Sequence, residues 1–237
     1  LKAAIAFKNA GLGTPIIIAK EKIVKKRLKE IGYGENLDIQ IMNFSDRKKR
    51  DKYSKFIFKK LHGNKGNLEP DVKELYFRDC DRMVKNDKVI WGSCMVSTGD
   101  ADAMVTGNNR RYSQSLEKIN KVVDVRHGEI MFGLNMVVNK GKTVFIGDTS
   151  VHEYPSSEQL AEIAISSARV VRLFGFDPKV AFLYHSTFGQ PLTSRTKHIR
   201  DAVDILKEKK VDFEFDGDMQ PDVALNEEYS DLYPSSK

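Results

Sequence analysis

Residues 14–41 read TPIIIAKEKIVKKRLKEIGYGENLDIQI, and this stretch decides the fold class. The run at 16–18 is apolar without polar alternation, which is typical of a strand buried on both faces of a parallel sheet. Residues 20–31 then carry apolar side chains at helical spacing, and 37–41 alternate as a second strand. A strand, a helix and a strand in this order predict a βαβ unit.

The same exchange of strand and helix continues along the chain. Ser156 and Gln159 can form a capping box in front of the clearest helix. The pattern predicts an α/β protein, with a change of pattern near Asp124. The predicted helices cover residues 1–10, 51–62, 71–85, 111–123, 157–174 and 196–209. The predicted strands after the first two cover residues 101–106, 130–138, 143–148, 180–184 and 211–215.

Charge and composition exclude several classes of protein. The chain has 39 basic and 33 acidic residues and a net charge of +6, and 41% of its residues are apolar, which is enough for a hydrophobic core. No apolar run approaches the roughly 18 residues that a membrane-spanning helix needs, and no export signal begins the chain, so we expect a cytoplasmic protein without membrane contact. Cys80 and Cys94 lack CxxC spacing and are predicted to be buried, reduced thiols.

Ligands of open α/β sheets bind beyond the carboxyl ends of the strands, so the loops after predicted strands are where a site is expected. In the first such loop, Thr106 and Gly107 end a strand, and Arg110 and Arg111 precede a helix. A glycine followed by arginines at a helix start suits phosphate or pyrophosphate, although an exposed arginine pair fits equally. The spacing matches neither G-x-G-x-x-G nor a Walker loop, so no nucleotide fingerprint is present.

Two further loops carry polar groups after strands. His185, Ser186 and Thr187 follow a buried strand and suit anion contact or acid–base chemistry, or else a structural hydrogen-bonding role. No Gly-x-Ser-x-Gly elbow surrounds Ser186, which argues against a hydrolase triad. Asp216 opens a third loop, 216–222, whose carboxylates suit a substrate, a hard cation or helix capping.

The basic run at 47–52, RKKRDK, lies beside Tyr53, Phe56 and Phe58. Charge combined with aromatic stacking is one way to bind nucleic acid. The aromatic residues nevertheless fall at helical spacing suited to a core, and no nucleic-acid motif is present. We therefore expect no nucleic-acid partner.

Residues 99–107, GDADAMVTG, resemble the ADG-hydrophobic-VSG stretch of the phosphate acetyl/butyryltransferase family. Segments at 160–168, 174–181 and 216–224 match that family in the same order, and the resemblance covers nearly the whole chain. It implies a two-lobed, isocitrate/isopropylmalate dehydrogenase-like (phosphotransacetylase-type) α/β fold. The expected lobes are 1–124, incomplete without a C-terminal return segment, and 125–237.

Within that family, residues 78–84, RDCDRMV, with 100–113 and 156–165, look like the phosphotransacetylase-like C-terminal domain of hybrid NADP-dependent malic enzymes. In those hybrids an N-terminal part oxidises malate, and the appended domain is associated with acetyl-CoA-responsive regulation. The resemblance therefore implies acetyl-CoA or CoA as ligand and no other cofactor here. NADP and a divalent metal are expected only in such an N-terminal part, and the start at Leu1 fits a domain of a longer chain.

Two departures from the family pattern bear on catalysis. Active transferases resemble one another in a later segment with Ser-Arg and a following Asp, and this chain ends at Lys237 before that segment. The arginine that they carry shortly after the VSG stretch falls at Glu117 here. A carboxylate at that position repels phosphate instead of neutralising it. No catalytic residue is therefore assigned.

The sequence supports three hypotheses. The first is an acyl-CoA-sensing regulatory domain of an NADP-dependent malic enzyme, which lacks transferase activity of its own. The alternatives are an active phosphate acetyltransferase and an oligomerisation module with a dimer interface in 125–237. The expected partners are acetyl-CoA or a related acyl-CoA and further copies of the chain, in an oligomer built on a dimer. The candidate contacts for acyl-CoA and phosphate are Thr106, Gly107, Arg110, Arg111, Ser186, Thr187 and Asp216.

Overall fold

The structure is a computed structural model that describes residues 1–33, 39–66, 68–107, 110–189 and 193–232. The chain divides into two compact units, Leu1–Asp124 and Val125–Lys237. The elements of the first unit are α1 (Lys2–Asn9), β1 (Ile16–Ile18), α2 (Glu21–Glu30), β2 (Gln40–Met42), α3 (Arg47–His62), α4 (Pro70–Asn86), α5 (Lys88–Ser97) and α6 (Tyr112–Asn120).

Strands β1 and β2 pair in parallel, with Ile17 opposite Ile41, and α2 connects them. This confirms the βαβ unit, although residues 37 and 38 of the predicted second strand lie outside the described residues. The prediction that β1 is buried on both faces is wrong, because Ile16–Ile18 are only half-buried. The described part of this unit contains a sheet of two strands alone, so each strand keeps an open edge.

The main core of the first unit lies among α3, α4 and α5. Residues 89–95 of α5 are all buried, and the Trp91 ring meets Tyr53 of α3 edge-on at 5.0 Å. Cys80 and Cys94 are buried, free thiols, as predicted. Burial raises the pKa of Cys80 to about 11 and that of Cys94 to about 12, so both thiols stay protonated at neutral pH.

The predicted strand over 101–106 is absent. The N–H groups of Asp100 and Ala101 both donate to the Met95 carbonyl, at 2.7 and 3.2 Å, and this turn closes the end of α5. Met104 then lies directly over Gly92, where an added Cβ would come within 2.5 Å of its sulfur. Met104 therefore packs on α5, whereas Ala103 and Val105 are exposed, and the segment pairs with no strand among the described residues.

The second unit contains an antiparallel hairpin and a second βαβ unit. The hairpin pairs β3 (Leu134–Asn139) with β4 (Lys142–Gly147), and β5 and β6 pair in parallel. The Ser156–Gln159 capping box is present in front of the long helix, as predicted. The remaining elements are α7 (Ser157–Leu173), β5 (Lys179–Leu183), α8 (Ser194–Glu208), β6 (Glu214–Met219), α9 (Pro221–Leu225) and a 3₁₀ helix (Glu227–Leu232).

Strand β6 begins three residues later than predicted. Val211 follows α8 and is still tied to its last turn, since the Val211 N–H donates to the Leu206 carbonyl, and Phe213 packs on the core before pairing begins. Pairing starts where Glu214 stands opposite Lys179. The Asp216-Gly217-Asp218 segment, predicted as a loop, is therefore part of the strand itself.

Gly217 gives the first test, because its φ is +152° and a Cβ there would lie 2.7 Å from the Phe182 Cβ and 2.9 Å from its carbonyl oxygen. Gly217→Ala is expected to lower the free energy of unfolding by about 1–3 kcal/mol through backbone strain and by a similar amount through overpacking. Gly11→Ala is the control, since φ is +68° there but nothing lies within 4 Å, and it should lose only about 1–2 kcal/mol. Urea unfolding followed by circular dichroism measures both. If the two variants lose equal stability, the close approach of Phe182 to Gly217 adds nothing to the cost of the substitution.

Candidate functional site

The first predicted loop leads into α6. Thr106 and Gly107 are exposed and lie in no regular element, and residues 108 and 109 lie outside the described residues. Arg111 is the N-cap residue of α6, and its side chain makes no capping hydrogen bond. Arg111 is exposed and has no carboxylate partner within the described ranges.

Arg110 is held by a carboxylate of its own unit. Its Nη1 lies 3.0 Å from Asp87, and the ammonium of Lys118 contacts the same oxygen. Asp87 also caps α5 by accepting from the Val89 N–H at 2.8 Å. Burial works to raise the pKa of Asp87, but the hydrogen bonds from Lys118, Arg110 and Val89 outweigh it and hold the pKa below its usual range. A phosphate would have to compete with Asp87 for Arg110, so Arg111 is the more available cation.

Asp100 fixes the start of this loop and was not among the predicted site residues. Its carboxylate accepts from the Tyr53 hydroxyl at 2.6 Å and from Lys52 at 2.9 Å. The hydrogen bond from Tyr53, then that from Lys52, hold the pKa of Asp100 below its usual range. The aromatic residue next to the basic run therefore serves the fold, as its helical spacing indicated, and ties the loop to α3.

Glu117 faces solvent on α6 and pairs with Lys121 one turn later, at 2.7 Å. The hydrogen bond and charge of Lys121 lower the pKa of Glu117, so the carboxylate is ionised at neutral pH. A negative charge is therefore present where the family resemblance implies an arginine.

In the second unit, the two remaining predicted loops meet at one edge of the β5–β6 sheet. Leu183 stands opposite Met219 at the carboxyl ends of the two strands. Just beyond them, the Gln220 side-chain amide donates to the His185 carbonyl at 2.9 Å. The carboxyl ends of parallel strands form the edge where ligands of α/β proteins bind.

Asp218, fully buried in β6, organises this edge. The Ser186 hydroxyl donates to its carboxylate, and the Gly189 N–H donates to the same group at 3.0 Å. The Phe188 N–H donates to the Asp218 carbonyl at 2.7 Å. Ser186 is itself buried, so its hydroxyl has the structural role that the sequence left open.

Thr187 is different from its neighbour. It is 7% exposed, and its hydroxyl has no hydrogen-bond partner among the described residues. A buried hydroxyl without a partner costs free energy, and a bound acceptor would remove that cost. Asp216 is half-buried and accepts from the Gly217 N–H at 2.8 Å. The described residues contain no cluster of three or more His, Cys, Asp or Glu side chains able to hold a metal ion.

Asp148 anchors the loop after β4. Its side chain is 2% exposed and accepts from the backbone N–H groups of Gly133, Ser150, Val151 and His152, at 2.8 to 3.1 Å. The His152 ring lies 2.8 Å from it. Burial favours a higher pKa for Asp148, but the hydrogen bonds from Ser150, Gly133 and His152 prevail and depress the pKa strongly.

This geometry predicts acid sensitivity. A carboxyl whose pKa is lower in the folded than in the unfolded state stabilises the fold fully above its unfolded pKa of about 3.9, and the stabilisation falls as pH drops towards the folded value. Asp148→Asn should therefore unfold more easily at neutral pH and show a shallower loss of stability below about pH 4. Urea midpoints measured across this range test it, with the exposed Asp222→Asn as control. If the urea midpoint of Asp148→Asn falls with pH as steeply as that of the wild type, Asp148 is not the source of the acid sensitivity.

No helix in the described part of the chain is long and apolar enough to cross a membrane. The fold is that of a phosphotransacetylase: the crystal structure of a phosphotransacetylase from Streptococcus pyogenes superimposes with a TM-score of 0.85 at 25% identity, over 99% of this chain and 69% of that one. The sequence also matches the phosphate acetyl/butaryl transferase family over residues 1–237. The chain belongs to this family.

Curated relatives come from two kinds of enzyme. An NADP-dependent malic enzyme from Rhizobium meliloti is 37% identical over 235 residues, which is 99% of this chain and 30% of that protein. A phosphate acetyltransferase from Nitratidesulfovibrio vulgaris is 32% identical over 146 residues, which is 61% of this chain and 21% of that protein. The chain thus spans about a third or less of the length of these relatives.

Proposed function

We propose that this chain is an acyl-CoA-binding regulatory domain of an NADP-dependent malic enzyme. The observation that carries the proposal is the 37% identity to a malic enzyme along 99% of the chain, which covers only 30% of that relative. Malate oxidation then belongs to the part of the polypeptide outside this match. NADP and a divalent metal are assigned to that part, and acetyl-CoA to this one.

The arrangement of charges supports binding without transfer. Acetyl transfer between CoA and phosphate needs a base for the thiol and cations for the phosphate and the developing oxyanion. Arg110 is paired with Asp87, Glu117 is ionised and paired with Lys121, and the Ser186 hydroxyl is engaged with Asp218. Binding requires fewer groups than transfer, because the phosphates of CoA need only cations and hydrogen-bond donors. The proposed contacts in the first unit are Arg111 and the backbone at Thr106 and Gly107. The proposed contacts in the second unit are the Thr187 hydroxyl and Asp216.

Two further features belong to the proposal. The two units are proposed to form an architecture of the isocitrate/isopropylmalate dehydrogenase type, which the family resemblance implies. The protein is also proposed to be a homo-oligomer built on a dimer. An active phosphate acetyltransferase is the alternative function, and the fold match to a phosphotransacetylase at 25% identity favours it.

Turnover separates the two functions. Thiol release from acetyl-CoA in the presence of phosphate is expected to stay at the background rate, because Glu117 stands where the family resemblance implies an arginine and no general base is assigned to the site. Saturating acetyl-CoA is expected to raise the thermal midpoint of the same sample, since a ligand that binds only the folded state stabilises it. Phosphate-dependent thiol release would establish the transferase instead. If acetyl-CoA neither releases thiol nor raises the thermal midpoint, the oligomerisation module is the remaining hypothesis.

A substitution tests the proposed phosphate contact. Arg111→Ala should weaken acetyl-CoA binding about tenfold and reduce its salt dependence, because a charge-assisted hydrogen bond to phosphate is lost. Arg200→Ala removes the same charge from an exposed position on α8 and should leave the affinity unchanged. Calorimetric titration at two salt concentrations measures both variants. Equal affinities of Arg111→Ala and the wild type would rule out the contact.

A further inference from the structure

A groove of about 560 Å³ lies between α3 and α4, and it is lined by none of the predicted site residues. It joins two segments that stand out in the sequence, the basic run at 47–52 and the RDCDRMV motif at 78–84. Five of the nine lining residues are basic and two are acidic. The basic ones are Arg47, Arg50, Arg78, Arg82 and Lys85.

The floor of the groove is rigidly built. Asp81 of α4 accepts from Arg50 at 2.9 Å and from the buried Ser54 hydroxyl at 3.2 Å, and both partners belong to α3. On the opposite face of α4, Cys80 and Val84 are fully buried in the core. These contacts fix the rotation of α4, so the side chains at 78, 82 and 85 are held on the groove side.

The groove keeps an excess of positive charge after its ion pairs are counted. Asp81 pairs with Arg50, and Asp51 pairs with Lys55, which does not line the groove. Arg82 pairs with Asp79, also outside the lining, at 3.6 Å. Arg47, Arg78 and Lys85 have no carboxylate partner within the described ranges. Like charges spaced three and four residues apart on one helix repel each other, so this arrangement disfavours the empty groove.

We propose that this groove binds a compound carrying a diphosphate group. Guanidinium groups from two facing helices match adjacent phosphates, which present several acceptor oxygens and more than one negative charge. Phe77, half-buried against Phe58, supplies an aromatic wall beside them for an organic moiety. The volume lies within the range of small-molecule sites, about 300–1,000 Å³. The diphosphate can belong to a free nucleotide or to CoA.

Calorimetric titration of the purified protein with inorganic pyrophosphate tests the proposal. Arg47→Ala with Arg78→Ala removes one groove cation from each helix and should weaken pyrophosphate binding about tenfold or more. Lys59→Ala with Lys73→Ala is the matched control, since it removes two exposed charges from the same helices outside the groove. Its affinity should stay within about twofold of the wild type. Circular dichroism verifies that both variants are folded.

Three results would overturn the proposal: no pyrophosphate binding by the wild type at about 1 mM, equal weakening in the control pair, or orthophosphate binding as tightly as pyrophosphate. Titrations with ADP and with CoA then separate the sources of the diphosphate. Loss of ADP affinity only in the Arg47/Arg78 variant supports a free nucleotide, and loss of CoA affinity only in that variant supports CoA. The Arg111→Ala result bears on the regulatory function alone, so the two proposals can fail separately.

Discussion

A carboxylate that leaves water must find hydrogen-bond donors, and the loops of this protein are built around that requirement. Four aspartates meet it, two in each unit. Each accepts from groups that lie close in space, and each thereby fixes the end of a helix or strand. They are Asp87, Asp100, Asp148 and Asp218. The loops that could carry function are therefore held in place by buried or half-buried aspartates at the ends of helices and strands.

The sequence pattern correctly predicted those elements that are stabilised by contacts between residues close in sequence. The capping box at Ser156 and Gln159 defines the start of α7, and the apolar runs around α2 define the first βαβ unit. The strand over 101–106 was predicted wrongly, because Met104 packs on Gly92 of α5 while Val105 is exposed to solvent, and periodicity does not encode this arrangement. The start of β6 was misplaced for a similar reason, since Val211 and Phe213 alternate like a strand before any partner strand is in reach.

The site shows the same division between what sequence can and cannot predict. A glycine with arginines before α6 was visible in the sequence. The pairing of Arg110 with Asp87 was not visible in the sequence, because Asp87 lies 23 residues earlier and caps a different helix, α5. Likewise Ser186 was predicted to contact acyl-CoA or phosphate, but its hydroxyl donates to Asp218, 32 residues later in the sequence. Long-range ion pairs and hydrogen bonds thus decide which polar groups remain available to a ligand.

The two cysteines have a practical consequence. Both are buried among α3, α4 and α5, and their raised pKa values keep them as thiols. A thiol-specific reagent therefore reacts slowly with the folded chain. Any rapid reaction of that reagent in a CoA-release assay comes from the thiol of CoA. Both also lie in the first unit, while the sequence places none after residue 124. Their labelling rate consequently measures the opening of that unit alone, which makes the chain its own reporter of local unfolding.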